Sequence, residues 1–153
     1  HLLLFFTGFS RISADIQKTT EANISNKTKE LLEMKSLVDD AEEILVSNGD
    51  LNEFGKLLHY TWELKRGIST AVSTDHIDDI YQRALRAGAT GGKLLGAGGG
   101  GFLLFFVEPD RQASVLEELS ELLYVPFSFE NDGTHVIYFK AEDYTIPAQY
   151  VKE

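Results

Sequence analysis

Between Gly91 and Gly101 the chain reads Gly-Gly-Lys-Leu-Leu-Gly-Ala-Gly-Gly-Gly-Gly, so seven of its thirteen glycines fall in eleven positions. Glycine loses more backbone freedom on folding than any other residue, so a run this dense implies a need for bare backbone. One such need is a crowded turn between two elements. Another is a loop whose N–H groups face an anion, most often phosphate, and Lys93 beside the run fits that use. An amphipathic helical pattern precedes the run and the apolar stretch Phe102–Val107 follows it. The loop is therefore expected at a helix-to-strand junction.

That order excludes two nucleotide motifs. Gly96–Gly101 matches the spacing of the dinucleotide fingerprint, but the fingerprint follows a strand and opens a helix. A P-loop ends in Gly-Lys-Ser/Thr, whereas Phe102 follows Gly101 here. At 153 residues the chain fits one domain, and the absence of cysteine excludes disulfides and thiolate metal sites. A reducing, cytoplasmic setting is expected. The net charge of -10 argues against nucleic acid as a partner, and no apolar run is long enough for a membrane span. The chain opens at His1 and enters the apolar run Leu2–Phe6 at once. A fragment cut at a domain boundary is expected from this, with residues 1–140 as its domain and 141–153 as a less patterned tail.

Leu2–Phe6 reads as a central strand, and Ser13–Ile16 as a helix start. From Thr28 to Val46, Leu31, Met34, Leu37, Val38, Ala41 and Leu45 recur at helical spacing. Asp50-Leu51-Asn52-Glu53 reads as a capping box opening a second helix, on which Phe54, Leu58, Thr61, Trp62 and Lys65 share a side. Ile68–Val72 is an ambiguous linker. Ser73-Thr74-Asp75 opens a third helix with Ile77, Ile80, Tyr81 and Ala84 as its buried stripe, ended by Ala87-Gly88. After strand Phe102–Val107, Asp110 is placed to cap a helix carrying Val115, Leu119 and Leu123. Val125–Phe129 and Val136–Phe139 flank Asn131-Asp132-Gly133 as a hairpin. The expected class is α+β, with about four mainly antiparallel strands packed with helices.

Arg11, just after the first strand, is a candidate for a bidentate contact to a substrate phosphate, or a solvated surface residue. Lys65 and Arg66 could complete a phosphate pocket, or serve the dipole at a helix C-terminus. Thr7 offers its hydroxyl to a substrate or to its own turn. His59, His76 and His135 lack metal-ligand spacing. Asp39, Asp40, Glu42 and Glu43 read as a solvated helix face.

Gly92-Lys93-Leu94-Leu95-Gly96-Ala97-Gly98-Gly99-Gly100-Gly101 resembles the third motif of the GHMP kinases, the superfamily of galactokinase, homoserine kinase and mevalonate kinase. Phe6-Thr7-Gly8-Phe9-Ser10-Arg11 resembles the sugar-kinase branch containing D-glycero-D-manno-heptose 7-phosphate kinases and fucokinases. Leu58–Lys65, Ile77–Tyr81 and Gly88–Leu95 are similar to the heptose kinases in particular. Mevalonate-kinase-like loops commonly carry Thr where Leu95 stands, which favours the sugar-kinase branch. The resemblance implies a ferredoxin-like C-terminal domain and ATP-dependent phosphorylation of a sugar hydroxyl, the anomeric one of a heptose 7-phosphate. It implies a site at Lys93, Gly96, Ala97, Gly98, Gly99, Gly100 and Gly101 near the nucleotide. ATP and Mg²⁺ would be held mainly by an N-terminal domain whose Ser-rich phosphate loop and catalytic residues are absent from this sequence. The chain alone is then expected to be inactive, with Gly96–Gly101 collapsed or mobile. The alternative is a non-catalytic ferredoxin-like module that binds a small anion or regulates a partner.

Overall fold

The structure, a computed structural model, describes residues 1–9, 18, 21, 24–47 and 49–138. Its centre is a four-stranded antiparallel sheet. Strand β1 (Leu2–Phe6) runs against β3 (Phe102–Val107) in the register Leu2↔Phe106 to Phe6↔Phe102. Strand β2 (Ala89–Leu94) flanks β3 on its far side, and the two-residue β4 (Leu123–Tyr124) pairs with the end of β1. The order is β2-β3-β1-β4.

Alternation along the strands sends Leu3, Phe5, Leu103 and Phe105 to one face, where each is 2% exposed or less. Helix α3 (Asp75–Ala87) covers this face with Ile77, Ile80, Tyr81 and Ala84. Helix α4 (Gln112–Glu118) adds Val115, and Leu119 follows it into the same core. Each large side chain buried here contributes about 1.5–3 kcal/mol. Thr74 caps α3 by accepting the Ile77 N–H at 3.3 Å, and Gly88 ends the helix at φ 120°.

Helix α2 (Asn52–Arg66) lies on β2 and contributes the fully buried Trp62. Two glycines let helix and strand touch. A Cβ on Gly91 would stand 2.0 Å from the Gly55 carbonyl oxygen, and one on Gly55 would stand 2.9 Å from Phe106 and Thr90. Helix α1 (Thr28–Val46) rests on α2 and buries no residue of its own. Met34, Leu37 and Ala41 face Phe54, Leu57 and Leu58 across a small groove, while Leu32 and Val38 are more than 60% exposed.

Several expectations are corrected. The glycine run does not follow a helix: Gly91 and Gly92 belong to β2, and the loop joins two strands of a hairpin. The pattern missed β2 because glycine is a poor strand former, and here it is required by the approach of α2. The capping box at Asp50 is not closed, since Asp50 accepts the Asn52 N–H and Glu53 pairs with Lys56. Asp110 forms no cap, and α4 stops at Glu118. Residues 125–138 form no hairpin. Pairing ends one bond beyond β4, at Val125 N–H to the Leu4 carbonyl, and among the described residues nothing covers Phe129, Val136 and Ile137. The expected helix start at Ser13–Ile16, Phe139 and the tail 141–153 lie outside the described residues. No helix among the described residues is long and apolar enough to cross a membrane.

Candidate functional site

The hairpin loop is closed by Leu95 N–H on the Phe102 carbonyl at 2.8 Å. Beyond that bond the backbone turns through Gly96, Gly98, Gly99 and Gly101 at φ of 79°, 122°, 70° and 106°. Side chains rarely adopt such angles, so glycine is needed for conformation here and for space at Gly91.

Four neighbours hold the loop. The Gly101 carbonyl accepts the Thr7 N–H at 2.8 Å and the Thr7 hydroxyl at 2.9 Å. Gly101 N–H in turn donates to the Phe9 carbonyl at 2.9 Å. Gly99 N–H donates to the Val72 carbonyl, also at 2.9 Å, and a Cβ on Gly98 would meet the Val72 backbone at 2.8 Å. From the other side the Lys65 ammonium donates to the Gly96 carbonyl at 2.6 Å. The loop is therefore held by several bonds, in contrast to the collapsed or mobile loop expected. Gly96, Ala97, Gly98 and Gly100 have N–H groups with no acceptor among the described residues. Gly98 is buried as well, which makes its donor costly to leave unmatched.

Lys93 stands on β2 opposite Leu104, half-buried beside Thr61 of α2. Lys65 lies one helical turn beyond Thr61. Burial, and after it the charge of Lys93, pushes the Lys65 ammonium below its usual value. The two lysines and the loop thus form one electropositive corner.

Arg66 departs from its expected place beside Lys65. Its guanidinium binds Glu63 at 2.9 Å and Asp78 at 2.6 Å, and Asp78 also accepts the Ser73 hydroxyl. It lines a separate cleft of about 480 Å³ with Ser69, Thr70 and Thr74. Adjacent residues on a helix point about 100° apart, which is why Lys65 reaches the loop and Arg66 does not. Thr7 is 1% exposed, and its hydroxyl donates to the Gly101 carbonyl. Arg11 lies outside the described residues. His59 pairs with the Tyr81 hydroxyl at 2.8 Å, and that hydroxyl also donates to the Gly92 carbonyl. Burial pushes the Tyr81 hydroxyl well above its usual range. No group of acids and histidines that could hold a metal occurs among the described residues.

Val72 and Phe9 were missed as loop supports. The stretch Ile68–Val72 has no periodicity, and the signal available was only its apolar residues: Ile68 and Val72 are 5% and 1% exposed.

Residues 37–125 match the family model described as GHMP kinases C terminal. The D-glycero-alpha-D-manno-heptose 7-phosphate kinase of Campylobacter jejuni is 33% identical over 135 residues, covering 86% of this chain and 40% of that protein. The L-fucokinase/L-fucose-1-P guanylyltransferase of Bacteroides fragilis is 34% identical over 74% of this chain and 12% of its own length. Among solved structures, Methanococcus jannaschii mevalonate kinase aligns with a TM-score of 0.69 at 27% identity, over 81% of this chain and 38% of that one. The chain thus spans 40% or less of each of these relatives. With more than half of its length matched by the family model and its antiparallel sheet aligned with a mevalonate kinase, the chain belongs to the GHMP kinase C-terminal family.

Proposed function

We propose that the chain is the C-terminal half of an ATP-dependent kinase that phosphorylates a sugar or sugar-phosphate hydroxyl. The favoured acceptor is D-glycero-D-manno-heptose 7-phosphate at its anomeric position. The observation that carries the reading is the held glycine loop with four N–H groups lacking acceptors among the described residues, set beside Lys93. The heptose kinase match over 86% of the chain supports the acceptor.

Phosphoryl transfer depends mainly on positioning and on neutralising negative charge. ATP supplies the phosphoryl group, and the loop fits a phosphate: four of its N–H groups have no acceptor among the described residues, and its backbone carries no side chain from Gly98 to Gly101. Gly96, Ala97, Gly98 and Gly100 donate N–H groups. Gly99 and Gly101, bonded inward, fix the shape, and Lys93 adds charge. Thr7 acts as a positioning group, Lys65 binds beside the loop, and Arg11 is kept for the acceptor's phosphate, while Arg66 stays in its own cleft. The described residues do not fit a Mg²⁺ ion, so its ligands and the catalytic base are assigned to an N-terminal domain that also completes the nucleotide site. The working place is the cytoplasm.

The test joins this chain to its ATP-binding half and follows ADP release with heptose 7-phosphate, fucose, galactose and mevalonate. Turnover of the heptose phosphate above the others supports the reading. Turnover of none supports a non-catalytic anion-binding module instead.

A further inference from the structure

Lys65 and Lys93 come from different elements, α2 and β2, yet flank one loop: the Lys65 ammonium bonds the Gly96 carbonyl, and Lys93 lies beside Thr61, one helical turn before Lys65. The chain carries 24 acidic residues against 14 basic ones. None of those acids pairs with either lysine among the described residues, whereas Arg66, next in sequence to Lys65, is matched by both Glu63 and Asp78. Two half-buried cations held together without a counter-charge are costly, because each is partly removed from water and repels the other. Among the described residues, the loop beside them holds N–H groups without acceptors at Gly96, Ala97 and Gly98, and Lys65 is anchored on the Gly96 carbonyl.

We propose that Lys65 and Lys93 form a single two-cation site for a phosphate monoester dianion. Its chemistry matches what surrounds it. A dianion balances two ammonium groups, and its three terminal oxygens accept from both lysines and from the loop N–H groups together. A carboxylate brings half the charge and fewer acceptors. The site deepens the kinase reading, in which the phosphate belongs either to a phosphorylated acceptor or to the nucleotide. Its test is binding to this chain, so it stands or falls without turnover.

The experiment observes lysine side-chain Cε signals by NMR while inorganic phosphate, then mannose 6-phosphate, is added to the chain. The Lys65 and Lys93 signals are expected to shift together and saturably, with exposed Lys35 on α1 as the unmoved reference. Lys93→Met is expected to weaken phosphate binding about tenfold or more, the effect of losing one charge-assisted hydrogen bond. ATP that displaces mannose 6-phosphate assigns the site to the nucleotide, and failure to displace it assigns the site to the acceptor. Lys65 and Lys93 signals that do not move, or that move only as Lys35 does, overturn the proposal. That outcome needs no variant to fold.

Discussion

Gly91 and Gly96 stand five residues apart in one run and are glycines for different reasons. A Cβ on Gly91 would sit 2.0 Å from the Gly55 carbonyl oxygen, whereas one on Gly96 would meet nothing within 4 Å. Gly96 is constrained instead by φ 79°. Gly91→Ala is expected to cost about 3 kcal/mol or more by overpacking, and Gly96→Ala about 1 kcal/mol by strain. Urea unfolding of the two variants checks the contrast. Thr7→Val keeps the side chain's shape and the backbone bond to Gly101 but loses the hydroxyl bond, so about 1 kcal/mol is expected in the same measurement. The sequence made the density of the run visible. It did not separate space from conformation, because Gly55, which presses on Gly91, lies 36 residues earlier and carries no motif. Nor could it show that Lys65, and not Arg66, reaches the loop, since that follows from how α2 lies on β2.

At the level of elements, strong periodicity was legible. Helix α1 spans Thr28–Val46 as its spacing implies, and α3 begins at the Thr74 cap and ends at Gly88. The β2 strand was hidden by its own glycines. The hairpin expected at 125–139 shows the converse, since alternation alone forms no strand without a partner surface. Helices α3 and α4 are joined at their solvent side by Arg83, which binds Glu118 at 2.8 Å and also Glu121. Both acids are about half exposed, so Arg83→Ala is expected to cost no more than about 1 kcal/mol. The hydrogen bond from Arg83 holds the Glu121 carboxyl below the ordinary 4.5. A depressed carboxyl stabilises the fold above that ordinary value, and the contribution is lost as pH falls through the lowered one. Wild type should therefore lose slightly more stability than Arg83→Ala between neutral pH and the range below 4.5, read by urea midpoints at each pH. Equal losses would show the bridge to be energetically idle.

Across the whole molecule, one sheet face is sealed by α3 and α4 and the loop stands at the end of the β2–β3 hairpin. Val72 and Phe9 support it from segments that join helices and strands, so the loop's shape depends on the fold around it. In the proposed function this loop is half of a kinase active site. Gly98→Ala tests it most directly, because the new Cβ would meet Val72 at 2.8 Å and φ there is 122°. In the complete protein with its ATP-binding half, ADP release on heptose 7-phosphate is expected to fall about a hundredfold or more in Gly98→Ala, the scale of losing preorganised donors. An unfolding midpoint within a few degrees of wild type must accompany that fall. A folded Gly98→Ala protein that turns over heptose 7-phosphate at the wild-type rate would rule out a role for the loop in catalysis.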